Sequence, residues 1–292
     1  MNLFKLKTKI RRSLNQKLKF EHPSSAPFLS GDTFRSICNH AYDEFSDIDP
    51  HQVQQSDIVF VKNNFLKDFF VEIHPEIKNQ YILLSHNDDT TIDESFLPFV
   101  DEKIIHWFGV NINVEHPKMT PLPIGLENMS YRRNGLLKYF DKKEMSNKKS
   151  QEKYIISAIN IEKHTNKERI FAVEQAKKNS LVTTILAMSN HQEYIDTIQQ
   201  YKFIISPRGE GIDCHRTWEA LYLGLFPIVT ECPNTNSFVR AGIPLFPLKS
   251  WENIGSVNQT ELVDFYNKNM DKLNHPAAFI DYWIDLIHKK RV

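Results

Sequence analysis

The chain has 292 residues, of which 41% are hydrophobic and 25% charged, and its formal net charge is zero. That length holds one large domain or two of ordinary size, and the balanced charge excludes the broad basic field of a nucleic-acid binder. Cys38, Cys214 and Cys232 form neither a CxxC metal pattern nor a disulfide framework, which points to a reducing compartment.

Residues 1–20, MNLFKLKTKIRRSLNQKLKF, carry seven Lys or Arg and no acid. Leu3, Leu6, Ile10, Leu14 and Leu18 recur at helical steps, so the segment reads as a basic amphipathic helix suited to an anionic membrane surface. A solvated leader, or a helix packed on its own protein, is the alternative. No apolar run approaches the roughly 20 residues of a membrane span, and no continuous apolar core marks a cleavable signal peptide.

After the loop HPSSAP, a helix is expected over DTFRSICNHAYDEF, a strand over SDIVFVKN and a helix over FLKDFFVEIHPEIKN. QYILLSHNDD and KIIHWFGVN read as strands around a short helical piece, IDESFLPFV. KMTPLPIG reads as an edge strand, because its prolines cannot donate to a ladder. A polar, Lys-rich stretch over 130–152 reads as a helix and a linker. A second alternation follows: strands KYIISAIN, LVTTILA, KFIISP and FPIVT, with helices NKERIFAVEQAKK, HQEYIDTIQQ and CHRTWEALYLG between them. NSFVRAGIPLFPLKS adds a helix and a short strand, and two amphipathic helices end the chain. Alternating strands and helices predict an α/β protein with parallel sheets. The expected division is 1–20, an N-terminal domain with linker over 21–150 and a C-terminal domain over 151–292.

The segment YKFIISPRGEGIDCHRTWEALYLGLFPIV, residues 201–229, concentrates glycine in a chain with only 9 Gly. A strand here delivers Arg208, Gly209, Glu210 and Gly211 to the carboxyl edge of a sheet, where ligands bind. The following helix offers free N–H groups and its positive dipole end, so phosphate is the expected occupant. Arg208 and Arg216 suit phosphate oxygens, and Glu219, three residues beyond Arg216, suits the vicinal hydroxyls of a ribose. Gly224 fits a helix C-cap. An ordinary strand–turn–helix with an Arg216–Glu219 salt bridge is the alternative. The segment is neither a P-loop nor a GxGxxG fingerprint.

Residues 206–229, SPRGEGIDCHRTWEALYLGLFPIV, resemble the C-terminal nucleotide-binding motif of exostosin-like glycosyltransferases and, more distantly, that of α1,3-fucosyltransferases. The resemblance implies two Rossmann-like βα domains facing across a cleft (the GT-B architecture) and an inverting transfer from a nucleotide sugar. Carried over, it implies that Arg208 and Gly209 line the diphosphate, Arg216 neutralises it and Glu219 holds the ribose.

Glycosyl transfer needs a base on the acceptor side. YILLSHNDD offers His86, Asn87, Asp88 and Asp89 at a strand end, with Asp88 or Asp89 preferred and His86 their rival, although Asn-Asp-Asp also suits turn chemistry. Glu127 is a further candidate base, and Asn128 beside it is expected on the acceptor side with Asn87. Trp107 reads as a core residue, with HWFGVN as an aromatic wall for a sugar on the acceptor side as the alternative. His40, His106 and His116 lack metal-ligand spacing, so no metal is assigned. The expected function is therefore a metal-independent glycosyltransferase, with a nucleotide sugar as co-substrate and no other cofactor. It would act on a glycan or lipid-linked glycan in surface polysaccharide synthesis, in the cytoplasm or on the inner face of the membrane. The competing expectation is a non-catalytic nucleotide- or glycan-binding module of the same fold.

Overall fold

A computed structural model describes residues 21–140, 151–159 and 166–291. The amphipathic segment 1–20 lies outside them, as do residues 141–150 of the Lys-rich stretch, whose described part holds short 3-10 turns at Met129–Tyr131 and Leu137–Tyr139 where a helix is expected.

Two five-stranded parallel sheets make up the α/β fold. The first contains β1 (His40–Tyr42), β2 (Ile58–Lys62), β3 (Tyr81–His86), β4 (Ile104–Val110) and β5 (Met119–Leu122), in the order β1-β2-β3-β4-β5. β5 is an edge strand, in keeping with Pro121 within it and Pro123 just past it. Right-handed crossovers between strands laid down in one direction bring every connection to the same face. Val59, Val61, Leu83 and Trp107 accordingly share a core with Phe65, Phe69, Phe70 and Phe96 of the connections. The alternate residues Ile58, Phe60, Ile82, Leu84 and Phe108 point to the other face.

That second face is closed by distant parts of the chain. Helix α1 (Gly31–Ser36) contributes Phe34, and a late helix over Ile280–His288 contributes Ile280, Trp283 and Ile287. An antiparallel bridge joins Phe28 to Phe279, and the Ile280 N–H donates to the Pro27 carbonyl at 3.1 Å.

The second sheet contains β6 (Lys153–Ala158), β7 (Val182–Ile185), β8 (Tyr201–Ile205), β9 (Phe226–Thr230) and β10 (Phe246–Leu248). Its order, β7-β6-β8-β9-β10, is doubly wound. The chain moves outward once and then crosses back past β6, so the topological switch point lies between β6 and β8. Helix α2 (Lys167–Ala176) covers one face, while α3 (His191–Ile198), α4 (His215–Tyr222) and α5 (Pro233–Arg240) cover the other. Helix α6 (Gln259–Asn269) joins α2, and the Ile280–His288 helix is α7.

The expected helix over 32–45 divides into α1 and the three-residue strand β1. The stretch 63–76 is a succession of 3-10, α and π turns, with Pro75 breaking the regular ladder. α4 ends as expected at Gly224, whose φ is +82°. Leu225 N–H donates to Ala220 and Gly224 N–H to Leu221, the bond pair of a Schellman cap.

Candidate functional site

β8 delivers residues 206–214 to the switch point, and the first sheet grips that loop. Asn111, directly after β4 with φ +58°, accepts the N–H groups of Ile212 and Asp213, each at 3.0 Å. Asp213 in turn accepts from Ile124 N–H at 2.8 Å, Trp218 Nε1 at 2.7 Å and Cys214 N–H at 2.8 Å. Burial raises the Asp213 carboxyl to about 7 in spite of these three bonds. His215 Nδ1 lies 2.8 Å from the Gly125 carbonyl.

The two glycines of the loop make room for protein groups. A Cβ at Gly211 would stand 2.7 Å from Asn111 Nδ2 and 3.0 Å from Asp89 Oδ1. One at Gly209 would stand 2.6 Å from Arg169 Nη2, and Arg169 Nε donates to the Arg208 carbonyl at 3.1 Å.

A cavity of about 570 Å³ opens at this edge. Gly209, Glu210, Gly211, Arg216 and Glu219 line it, together with Arg169 and Asp89. Arg216 Nε and Nη1 are buried without a hydrogen-bond partner. Burial and the adjacent Arg216 charge depress the proton affinity of Arg169. Two guanidinium groups thus share one wall, with Glu219 beside Arg216 and with Glu210 and Asp89 near Arg169, and the unbonded Arg216 nitrogens suit phosphate or carboxylate oxygens. Burial pushes the Glu219 carboxyl up to about 7 against the opposing pull of Arg216. Tyr194 lies against both, stacked on His191 at 5.5 Å between ring centroids.

Asp89 borders the cavity on the side of the first sheet. It engages in no hydrogen bond among the described residues, and burial, then its neighbour Asp88, raises its proton affinity. A second cavity of about 180 Å³ adjoins here, lined by His86, Asn87, Asp88, Asp89, Glu127, Asn128, Tyr131 and His215 among others. Asn87, Asn128 and Tyr131 also line a third cavity, of about 260 Å³. Asn87 Nδ2 donates to Asp32 at 3.1 Å, Asn128 Nδ2 donates to Asn87 Oδ1 at 3.0 Å, and Asn128 Oδ1 accepts the Asp32 N–H at 2.8 Å.

The sequence-predicted residues therefore divide. Arg216, Glu219, Gly209, Glu210, Gly211 and Asp89 meet at one cavity. Arg208 points elsewhere: its side chain lies 3.8 Å from Glu168 and lines a separate cavity with Cys232 and Thr235. Asp88 is a turn residue, its carboxylate accepting from the N–H and hydroxyl of Thr90. His86 is fully engaged, with Nε2 on the Pro123 carbonyl at 3.0 Å and Nδ1 accepting from Asn87 N–H at 2.8 Å. Burial also lowers His86 to about 4. Glu127 accepts the Asn134 N–H at 2.8 Å at the border of the second cavity. An acceptor wall at Trp107 is corrected by its complete burial, its indole donating to Ser85 at 2.8 Å within the core under the crossovers.

Sequence reasoning missed Arg169 and His215, and it offered Asn111 only as part of a sugar-facing HWFGVN wall, whereas the side chain holds the loop at Ile212 and Asp213. The available signals were a polar residue immediately after a strand for Asn111 and the first helical position for His215. Arg169 carried no local signal. Among the described residues no group of three His, Cys, Asp or Glu is placed to hold a metal ion, and no helix is long and apolar enough to cross a membrane. No family model matches the chain, and no curated protein matches it at a significant level.

Proposed function

We propose that the protein is a glycosyltransferase of GT-B type, with the nucleotide-sugar donor in the cavity beneath Arg169 and Arg216. The observation that carries this reading is the pair of buried Arg216 nitrogens, Nε and Nη1, left without a hydrogen bond at the switch point, beside a second arginine and the N-terminus of α4. A diphosphate supplies the missing acceptors. Glu219, one turn along α4, then meets the ribose.

The acceptor glycan approaches through the second cavity, where Asn87 and Asn128 offer amide groups for sugar hydroxyls. Its hydroxyl oxygen attacks the anomeric carbon while the bond from that carbon to the phosphate oxygen breaks. The electron pair leaves with the nucleoside diphosphate, whose charge falls on Arg169, Arg216 and the α4 N-terminus. Asp89 is the carboxylate at the junction of the two cavities, placed to take the acceptor proton itself or to balance the charge of a base beside it. The inverting outcome rests on the motif resemblance alone. A lipid-linked or surface polysaccharide acceptor, and attachment to an anionic cytoplasmic membrane face through residues 1–20, belong to the same proposal.

Thermal unfolding with UDP, GDP, ADP and CMP, and with their sugar conjugates, tests it. A ligand at 100 times its dissociation constant stabilises the native state by roughly 2.7 kcal/mol. One nucleotide should raise the melting temperature of the wild type and fail to do so in Arg216→Ala. No shift with any nucleotide would overturn the proposal. Binding with no hydrolysis of any sugar nucleotide would favour a non-catalytic binding module instead.

A further inference from the structure

Three residues, Asp89, Ile124 and His215, line both the 570 Å³ and the 180 Å³ cavities. Only Asp89 and His215 of these can exchange protons. His215 is the first residue of α4, and its ring is fixed by the 2.8 Å contact of Nδ1 with the Gly125 carbonyl. A carbonyl oxygen only accepts hydrogen bonds, so Nδ1 carries the proton. In the neutral ring Nε2 is then a bare lone pair on the opposite side. No group among the described residues hydrogen-bonds to Nε2.

The surroundings hold the ring neutral at rest and favour its charging during a reaction. Burial lowers its proton affinity, and the positive end of α4 acts in the same direction. Asp89 beyond β3 and Glu127 beyond β5 oppose this with negative charge. His86 at the end of β3 is the other ring near it and stays neutral.

Resting on the glycosyl-transfer reading, we propose that His215 is a catalytic residue whose Nε2 takes the proton of the acceptor hydroxyl, with Asp89 as counter-charge to the imidazolium. The acceptor oxygen forms its bond to the anomeric carbon as the sugar–phosphate bond breaks, and its proton moves to Nε2. Water then receives the proton and the lone pair is restored. A backbone carbonyl thus orients this base, in the role that a carboxylate holds in a Ser-His-Asp arrangement.

Nitrogen-15 NMR of histidine-labelled full-length protein tests the proposal, with His215→Asn assigning the resonance. Asn retains a donor toward Gly125 and lacks Nε2. The wild type should show the Nδ1-protonated tautomer at neutral pH. In Asp89→Asn the pKa of His215 should fall by about half a unit or more as the counter-charge is lost. Release of nucleoside diphosphate from UDP-glucose and GDP-mannose gives a second readout. His215→Asn should slow whichever release the wild type shows by about 100-fold, with nucleoside-diphosphate affinity retained. An Nε2-protonated ring, a pKa indifferent to Asp89→Asn, or wild-type release by His215→Asn would each overturn the proposal. Those results together with intact nucleotide binding would sink the role of His215 alone. A wild type that binds no nucleotide would sink the transfer reading itself.

Discussion

Asn111 Oδ1 receives two consecutive backbone N–H groups, those of Ile212 and Asp213, each at 3.0 Å. One side chain at the end of a strand in the first sheet therefore shapes the ligand loop of the second. Asn111→Ala would remove the acceptor of both donors and leave the buried Asp213 N–H unpaired, at a cost of about 1–3 kcal/mol. Thermal denaturation should show a fall of several degrees, and nucleotide binding should weaken with it. An unchanged melting temperature would mean that the loop holds its shape without the amide.

Arg169 and Arg208 are both close to Gly209 in space, but only Arg169 faces the large cavity. Arg169→Ala is expected to weaken nucleoside-diphosphate binding by about tenfold or more, the scale of one charge-assisted pair. Arg208→Ala should change it little, because that side chain is directed at Glu168. Calorimetric titration of the two variants decides, and the reverse ranking would restore the assignment implied by the motif.

The two loop glycines should respond differently to a methyl group. At Gly209 the nearest obstacle is the mobile end of Arg169, so Gly209→Ala should leave stability nearly unchanged and displace a ligand-facing guanidinium. At Gly211 the obstacles are Asn111 and Asp89, both set in place by the first sheet. Gly211→Ala should cost about 1–3 kcal/mol, as overpacking of a tight site does. Denaturant midpoints compared with nucleotide affinities separate the two effects.

Glu219 gives the stability a pH dependence of definite sign. Its carboxyl is raised to about 7 in the fold, so the native state holds the proton more tightly than the unfolded chain. The resulting stability is complete below the unfolded carboxyl range and is lost as pH rises through 7. Glu219→Gln removes this loss. Between pH 6 and 8 the ligand-free variant should lose less stability than the wild type, by roughly 1 kcal/mol. Equal losses in urea titrations at the two pH values would show that Glu219 is ionised throughout.

The second half of the fold was legible because each of its strands is a short apolar run flanked by helical periodicity. Gly224, Pro121 and Pro123 announced a cap and an edge through constraints that act within a few residues. The first half was harder to read. β1 is three residues long, too short for a pattern, and it lies inside a sequence with helical spacing. At the site, Arg216 and Glu219 were visible because one helix carries both on one face. Asn111 lies 101 residues before the amide it accepts, and Arg169 lies 39 before the carbonyl it meets. Such partners are chosen by the docking of elements, which no local spacing encodes. The glycines were noticed for a ligand's sake, whereas the space they leave is already used by Arg169, Asn111 and Asp89.

The closure of the first sheet by α7 bears on how the fold is held together. Ile58, Phe60, Ile82, Leu84 and Phe108 share their core with Ile280, Trp283 and Ile287. His106 on β4 is lowered to about 4 by burial and then by the charge of Lys290, just past α7. The apolar face of β2, β3 and β4 is covered in part by Leu29, Phe34, Leu122 and Leu126, and its cover is completed by residues made nearly two hundred positions later. A chain that lacked α7 would leave the rest of that face open to solvent, a surface prone to association. The two ends of the described fold are thus bound into one core, and the stability of the first sheet depends on α7.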